Sequence, residues 1–157
     1  MIYRSKIKCI LYDFDGVMTD NRVYVTENGL ESVCVNRSDG LAVFLIRQRK
    51  ISQAILSTET NPVVAKRAEK LKLEVLHSIS DKEQVIKEYC DLHGYDLSEV
   101  MFIGNDLNDL PALTIAGVKG CPADAATEVL EIADWVSSKK GGFGVIRDLY
   151  DWLIREA

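Results

Sequence analysis

The chain has 157 residues, of which 47% are hydrophobic and 27% charged, and its formal net charge is −5. These values are ordinary for a globular protein and argue against nucleic-acid binding. No apolar run approaches the ~20 residues of a membrane span. The start, MIYRSKIKC, lacks the apolar stretch of a signal peptide, and the four cysteines form no C-x-x-C pair. We therefore expect one cytoplasmic domain over residues 1–157.

Short apolar runs alternate with helical patterns along the chain. The first run, residues 7–14, is apolar almost throughout and predicts a central buried strand. Further strands are predicted at 53–56, 74–76, 100–103, 118–120 and 135–136. Helices are predicted at 40–48 (capped by Asp39), 62–71, 81–93 (capped by Ser80), 107–116, 123–132 and 145–156. This alternation predicts an α/β fold: a Rossmann-like parallel sheet with helices on both faces.

One segment breaks the alternation. Two apolar arms at about 22–36 flank an Asn28-Gly29 pair, which is typical of a β-hairpin with a type I′ turn. A lone hairpin is marginal in water. This flap therefore has to pack on its own domain or on a neighbouring subunit.

Polar residues follow several predicted strands. In an open parallel sheet, ligands bind at the carboxyl ends of the strands, and side chains two residues apart on an extended segment point the same way. The polar side chains expected at this edge are Asp13, Asp15, Ser57, Glu59, Lys82, Asn105, Asp106 and Asp109.

These groups suit phosphoryl transfer. A carboxylate can attack phosphorus and split hydrolysis into two steps, and a second carboxyl can protonate the leaving oxygen and later activate water. Lysine and a hydroxyl can hold the transferring oxygens. Each residue alone is better explained as a cap or a solvent-facing side chain. Their joint placement on successive strand ends favours a site.

The segment DFDGVMTD resembles the first motif of the haloacid dehalogenase superfamily, and Ser57, Lys82 and the segment GNDLND stand where its other motifs belong. The resemblance implies that Asp13 is the nucleophile and Asp15 the general acid/base. It also implies that Ser57 and Lys82 hold the phosphate.

The same resemblance implies a Mg²⁺ cofactor bound by Asp13, the backbone carbonyl of Asp15 and the residue at position 105. The superfamily usually has aspartate there, whereas this chain has Asn105. Three explanations remain open: Asp106 or Asp109 compensates for the lost charge, the metal binds more weakly, or catalysis has faded.

Four further segments, NRSDG, SDKE, CPADA and GGFGVIRD, resemble one branch of the superfamily. That branch contains octulosonate 8-phosphate phosphatases, nonulosonate 9-phosphate phosphatases and domains attached to acylneuraminate cytidylyltransferases. The segment ILSTETNPVVAKRA, which contains Glu59, is more similar to the members of this branch that are connected with sialic acids. We therefore expect a phosphatase on a nonulosonate 9-phosphate first and an octulosonate 8-phosphate next. The alternative is a weak or inactive assembly module.

No cap domain is expected, because only 43 residues separate Asp13 from Ser57 and only 24 separate Ser57 from Lys82. An open site gains from a covering surface that excludes water. The apolar hairpin and the resemblance together predict a homotetramer in which a neighbour completes each site. The alternative is a monomer whose hairpin folds back on its own sheet.

The helix after Ser57 carries a basic stripe at Lys66, Arg67 and Lys70. A solvated face is the common explanation of such a stripe. The functional hypothesis is that Arg67 and Lys70, with Glu59, bind the carboxylate and hydroxyls of a sugar acid, across a subunit boundary if the sites are shared.

Overall fold

The computed structural model describes residues 4–155. The strands are Cys9–Tyr12 (β1), Thr19–Val25 (β2), Glu31–Val35 (β3), Ser52–Leu56 (β4), Glu74–Leu76 (β5), Val100–Ile103 (β6), Val118–Cys121 (β7) and Trp135–Val136 (β8). The helices are Arg37–Gln48 (α1), Val63–Leu71 (α2), Lys82–His93 (α3), Leu110–Ile115 (α4), Thr127–Ile132 (α5) and Val145–Ile154 (α6).

Six parallel strands form one sheet in the order β5-β4-β1-β6-β7-β8, which places β1 near its centre. Alternate residues of β1 face opposite sides of this sheet. Ile10 and Tyr12 join the core built by α1, α2 and α6, whereas Cys9 and Leu11 join the core built by α3, α4 and α5. The predicted Rossmann-like α/β fold with helices on both faces is confirmed.

The first helix begins earlier than predicted. The side chain of Asn36 accepts a 2.8 Å hydrogen bond from the N–H of Ser38 and caps α1. Asp39, the predicted cap, lies inside the helix. It is buried and accepts a 3.0 Å hydrogen bond from the N–H of Arg147. The prediction was wrong because a contact with the last helix, 108 residues away, claims the Asp39 carboxylate.

Other helix ends also differ from the prediction. α3 is capped by Asp81, whose carboxylate accepts from the N–H of Gln84 at 3.1 Å, and not by Ser80. The segment 107–116 divides into a 3-10 turn, Leu107–Asp109, followed by α4, and α5 begins only at Thr127. The predicted end of the last helix at residue 156 lies outside the described residues.

The hairpin is present but its turn is not type I′. Gly29 has φ +80°, whereas Asn28 does not have the positive φ that a type I′ turn requires. The N–H of Gly29 donates to the carbonyl of Thr26, and the N–H of Thr26 donates to that of Leu30, both at 2.9 Å. The loop therefore has three residues and ends in a left-handed glycine.

The hairpin is only partly covered. Val33 and Val35 of β3 pack against the core formed with α1, α2 and α6. In contrast, Tyr24, Val25 and Leu30 are 64%, 63% and 65% exposed. The strand β3 of the hairpin thus packs on the chain's own core, while β2 and the turn present apolar side chains to solvent.

The structure contains no cap domain between the described strand ends. The hairpin and α1 fill the segment between Asp13 and Ser57, and α2 and β5 fill the segment before Lys82. This prediction is confirmed. Within residues 4–155, no helix has both the length and the apolar character needed to cross a membrane.

Candidate active site

Three neighbouring strands end level with one another. Tyr12, the last residue of β1, pairs with Ile55 of β4 and with Ile103 of β6. Asp13 comes next, and its N–H donates to the carbonyl of Ile103 at 2.8 Å. Ser57 follows β4 and is buried. The carboxyl edge of the sheet therefore presents polar residues from adjacent strands at one height, as the parallel topology predicts.

A buried lysine joins two carboxylates at this edge. The Nζ atom of Lys82 lies 2.7 Å from Oδ1 of Asp13 and 2.6 Å from Oδ1 of Asp109. Asp13 is 6% exposed, Lys82 4% and Asp109 0%. Lys82 is the first residue of α3, so the helix start fixes its backbone. We call these three residues the Asp13 cluster.

The Asp13 cluster has one cation for two carboxylates. The pKa of Asp13 is raised to about 7, first by burial and then by the charge of Asp109, while the charge and hydrogen bond of Lys82 act in the opposite direction. Burial lowers the pKa of Lys82, but the charges and hydrogen bonds of Asp13 and Asp109 outweigh it and leave the pKa above its ordinary value. Lys82 therefore stays protonated, and the ionised cluster carries one excess negative charge.

Asp15 lies at the mouth of the site and is half-buried. Burial is the first cause that raises the pKa of its carboxyl, and the negative charge of Glu59 is the second. Thr19, which is fully buried, accepts hydrogen bonds at 3.1 Å from the N–H groups of Gly16 and Asn21. This threonine holds the tight turn after Asp15.

The Asn105 amide faces two other oxygens. Its terminal oxygen points toward the backbone carbonyl of Asp15 and toward Oδ2 of Asp13, and half a turn of the amide would place its nitrogen 2.9 Å and 3.1 Å from them. Neighbouring oxygens on an octahedral Mg²⁺ with 2.0–2.1 Å bonds lie ~3 Å apart. The amide therefore either donates to both oxygens or completes a set of three oxygen donors.

This donor set fits a hard divalent cation. It combines one carboxylate, one main-chain carbonyl and one amide oxygen, the ligand types that Mg²⁺ takes. The described residues contain no group of three or more His, Cys, Asp or Glu side chains arranged to hold a metal. The fit thus depends on the neutral oxygens of Asp15 and Asn105 as much as on charge.

The two acidic residues after Asn105 have other partners. Oδ2 of Asp109 accepts from the N–H groups of Asn105 at 2.8 Å and Asp106 at 3.3 Å, while its Oδ1 binds Lys82. Asp106 is exposed, and its carboxylate accepts from the N–H of Leu107 at 2.8 Å. The structure therefore brings Asp109 into the cluster as the partner of Lys82 and leaves Asp106 at the loop surface.

The segment after β4 folds back on itself. Oγ of Ser57 accepts from the N–H of Glu59 at 3.1 Å. The Glu59 carboxylate accepts from the N–H groups of Thr60 at 2.8 Å and Asn61 at 3.0 Å, and its charge acts on Asp15. Ser57 and Glu59 therefore belong to the same edge as the Asp13 cluster.

Arg67 and Lys70 lie elsewhere in the subunit. They line a groove of about 520 Å³ between α1 and α2, and no residue of the Asp13 cluster lines it. The Nη2 atom of Arg67 donates to the carbonyl of Asn36 at 2.9 Å. The structure does not bring these two cations to Asp13.

Two contacts beside the site had no clear signal in the sequence. Asp124 accepts a 2.9 Å hydrogen bond from the N–H of Gly141, and the N–H of Gly142 donates to the carbonyl of Val17 at 3.0 Å. The Gly141-Gly142 pair lies just before the predicted last helix, but spacing alone could not show which loop it contacts.

The chain matches the family model of the haloacid dehalogenase-like hydrolases over residues 41–149. It is 30% identical over 153 residues to the 3-deoxy-D-manno-octulosonate 8-phosphate phosphatase KdsC of Haemophilus influenzae, covering 96% of this chain and 84% of that protein. It is 24% identical to N-acylneuraminate cytidylyltransferase A of Danio rerio over 94% of this chain, but spans only 35% of that longer protein.

Two solved structures are close in shape. A Streptomyces avermitilis protein described as a HAD family hydrolase has a TM-score of 0.94 and 40% identity, covering 97% of this chain and 87% of that one. A 3-deoxy-D-manno-octulosonate 8-phosphate phosphatase of Moraxella catarrhalis, solved with magnesium, phosphate and KDO, has a TM-score of 0.92 and 26% identity. It covers 96% of this chain and 87% of that one.

Proposed function

The chain belongs to the haloacid dehalogenase-like hydrolases, and from this membership we propose that it is a Mg²⁺-dependent phosphatase acting through a phospho-aspartate on Asp13. The observation that carries the proposal is the buried Asp13 cluster. A carboxylate and an ammonium group 2.7 Å apart at a strand end can attack a phosphate and hold its oxygens at once.

The two oxygens of Asp13 have different surroundings, which suggests different tasks. Oδ2 faces the amide of Asn105, which also faces the carbonyl of Asp15, whereas Oδ1 lies beside the Lys82 ammonium. Mg²⁺ held by Oδ2 of Asp13, the Asp15 carbonyl and Asn105 would reduce the repulsion between phosphate and carboxylate. Oδ1 is then the attacking oxygen, and Lys82 lies where a phosphoryl oxygen arrives.

The reaction takes two steps. Oδ1 of Asp13 forms a bond to phosphorus while the bond to the leaving oxygen breaks, and the Asp15 carboxyl gives that oxygen a proton. The carboxylate of Asp15 then takes a proton from water as the water oxygen attacks phosphorus, which releases phosphate and restores Asp13. Burial and Glu59, which raise the pKa of Asp15, suit it to hold the first proton. The Ser57 hydroxyl supplies a further donor to the phosphate oxygens.

The proposed substrate is a phosphorylated 2-keto-3-deoxy sugar acid. The charge of Glu59, which acts on Asp15, and the likeness to an N-acylneuraminate cytidylyltransferase support a nonulosonate 9-phosphate. The relatives that are named octulosonate 8-phosphate phosphatases support the eight-carbon acid as the second candidate.

We also propose that the hairpins pair to form a homotetramer. The exposed apolar side of the hairpin (Tyr24, Val25 and Leu30) would then be covered by another subunit. In such an assembly Arg67 and Lys70 of one subunit would reach the sugar acid bound at a neighbour's Asp13. Arg67 and Lys70 could then bind substrate although they lie away from the Asp13 cluster of their own chain.

A substrate panel tests the proposed function. The purified protein is assayed with 4-nitrophenyl phosphate and with nonulosonate 9-phosphates and octulosonate 8-phosphates, each with Mg²⁺ and with a chelator. We expect Mg²⁺-dependent release of phosphate, with the highest kcat/KM on a sugar-acid phosphate. If no phosphate ester is hydrolysed at any Mg²⁺ concentration, the enzyme proposal fails. The alternative, an assembly module in which Asn105 reflects lost catalysis, would then replace it.

A further inference from the structure

We propose that Asp124 is a positioning residue, which holds the loops of Asp15 and Asn105 together through the Gly141–Gly142 pair. The inference deepens the proposed function and rests on it. Asp124 lies in the CPADA segment and Gly141 in the GGFGVIRD segment, two motifs that no step of the proposed reaction uses. Neither residue belongs to the Asp13 cluster.

The first half of the contact joins Asp124 to the turn after Asp15. Oδ1 of Asp124 accepts the Gly141 N–H at 2.9 Å. Gly141 packs so closely on Gly16 that a Cβ atom at position 141 would overlap the Gly16 carbonyl oxygen. The next amide, that of Gly142, donates to the carbonyl of Val17 at 3.0 Å. Main chain therefore touches main chain, with no side chain between the two loops.

The second half joins Asp124 to Asn105. The N–H of Ala126, two residues after Asp124, donates to the backbone carbonyl of Asn105 at 2.8 Å. The Asn105 amide in turn packs on Gly16, where a Cβ atom would overlap it. These contacts close a ring that runs from Asn105 to Gly16, Gly141, Asp124, Ala126 and back to Asn105.

Two of the glycines also need their special backbone conformation. Gly16 has φ +82° and Gly142 has φ +76°, and both values lie in the left-handed region where other residues are strained. At each position a Cβ atom would additionally overlap a neighbour. The ring is therefore held by close backbone packing, and truncating the Asp124 side chain removes one of its hydrogen bonds without adding a clash.

The ring includes Asn105 and, through Gly16, adjoins Asp15, two residues of the proposed metal site. The Asp15 carbonyl and the terminal atom of the Asn105 amide lie 2.9 Å apart, although one follows β1 and the other follows β6. β1 and β6 pair as far as Tyr12 and Ile103, and Asp13 still bonds to Ile103, so beyond these residues the ring adds the contacts that hold the two loops at this spacing. A displacement of about 1 Å at such a site can cost up to about 100-fold in rate.

Three variants separate positioning from simple stabilisation. Asp124→Ala removes the acceptor of the Gly141 N–H, while Asp124→Asn keeps an oxygen there. Asp96→Ala is the matched control, because the exposed Asp96 carboxylate accepts a comparable 2.8 Å bond from the Ser98 N–H. Asp96 precedes β6, whereas Asn105 follows it, so this control lies at the other end of the strand.

Two readouts apply to each variant. The first is hydrogen exchange of the Gly142 amide, whose own acceptor on Val17 is untouched by the substitutions. The second is kcat/KM, which reports cleavage of the ester bond, on phenyl phosphate and on 4-nitrophenyl phosphate. The two esters have similar shapes, but the phenolate leaving group needs a proton more than the nitrophenolate does. A displaced Asp15 should slow the hydrolysis of phenyl phosphate more than that of the nitrophenyl ester, because the leaving oxygen of phenyl phosphate needs protonation.

For Asp124→Ala we expect faster exchange of the Gly142 amide, about a 10-fold lower kcat/KM on phenyl phosphate and less than about a 2-fold change in kcat/KM on the nitrophenyl ester. Asp124→Asn should restore both readouts, and Asp96→Ala should move neither. Unchanged exchange, or equal losses on both esters, would overturn the positioning role. A wild type inert toward both esters would instead overturn the proposed function, while the exchange result would still show whether the ring exists.

Discussion

The N–H of Arg147, near the start of the last helix, donates a 3.0 Å hydrogen bond to Oδ1 of Asp39 in the first helix. Asp39 is buried, and its Oδ2 has no hydrogen-bond partner among residues 4–155. Burial raises the pKa of this carboxyl to about 6, although the hydrogen bonds from the backbone of Arg147 and Ile146 and the charge of Arg67 oppose the rise. Ionising Asp39 in this buried position therefore costs free energy that a protonated or neutral side chain would not.

Asp39→Asn should change how stability depends on pH. The folded pKa of about 6 exceeds the ordinary value of 3.8, so the folded state binds the proton more tightly. Stability from this group is complete below about pH 4 and is lost as pH rises through 6, a change of about 3 kcal/mol. Relative to wild type, Asp39→Asn should therefore gain stability between pH 4 and pH 7 in urea unfolding. Asp91→Asn, at an exposed position on α3, is the control, and its free energy of unfolding should depend on pH as that of wild type does. The same pH dependence in Asp39→Asn would refute the prediction.

Asp13→Asn should abolish turnover without weakening the fold. The substitution removes the proposed nucleophile and leaves Lys82 and Asp109 as a neutral buried pair, so thermal stability should hold or rise. Lys82→Met is the contrasting variant: it leaves two buried carboxylates without a cation and should lose about 3–5 kcal/mol. Phosphate release and thermal unfolding measure both effects. Substantial activity in Asp13→Asn would exclude a phospho-aspartate at this residue.

Arg67→Ala and Lys70→Ala should weaken recognition of the sugar acid and leave the phosphoryl-transfer steps almost unchanged. Loss of a charge partner for a substrate carboxylate commonly costs a few kcal/mol, which corresponds to about 10- to 100-fold in kcat/KM. We expect that loss on a sugar-acid phosphate and little change on 4-nitrophenyl phosphate. Lys66→Ala is the control, because Lys66 lies on the same helix but is exposed and pairs with Glu69. Equal losses on both substrates would show that Arg67 and Lys70 stabilise the fold and do not bind the sugar acid.

Asn105→Asp should strengthen the metal site. The change adds a formal charge beside Asp13 in a side chain of nearly the same shape, so the Mg²⁺ concentration for half-maximal activity should fall. The rise in melting temperature on adding Mg²⁺ should grow as well, because the added charge repels Asp13 until the cation binds. Asn108→Asp, on an exposed side chain of the same loop, should leave both values unchanged. If only Asn105→Asp hydrolyses phosphate, the natural protein is an assembly module.

Charges on the hairpin should dissociate the assembly. Val23 and Val25 are exposed on β2, so replacing both with lysine should spare the fold of the subunit while blocking hairpin contacts. Static light scattering should give about four times the 17.6 kDa subunit mass for wild type and a lower mass for the variant. Leu92→Lys, at a residue that is 80% exposed on α3, should not change the mass. A wild-type monomer would end the tetramer proposal.

Local sequence patterns predicted the sheet well. β5, β6 and β8 occur at the predicted residues, because short apolar runs between helices have few alternatives in a parallel sheet. The predicted haloacid dehalogenase-like fold, without a cap, and the prediction of a phosphatase are also confirmed by the family match, the relatives and the similar solved structures. The individual roles of the site residues, the tetramer and the sugar acid remain predictions.

The errors arose where distant parts of the chain meet. Asp39 has the residue type of a helix cap, yet a bond to Arg147 claims it. The bonds that the Asp109 carboxylate makes to Lys82 and to the N–H of Asn105 were also not predicted, while its expected support of a metal stays a prediction. Nothing in the spacing of the chain shows the direction in which an acidic side chain near a strand end will point.

The pairing of β1 limits how its length can change. Each of its residues is matched on both sides, so that Cys9 meets Ser52 and Val100, and Tyr12 meets Ile55 and Ile103. Deleting one residue from this strand would force a one-step slip and turn Asp13 toward the opposite face of the sheet. Apolar replacements within β1 of similar volume can be absorbed by the two cores, but a single-codon deletion there would disconnect the nucleophile from Lys82 even if the protein still folded.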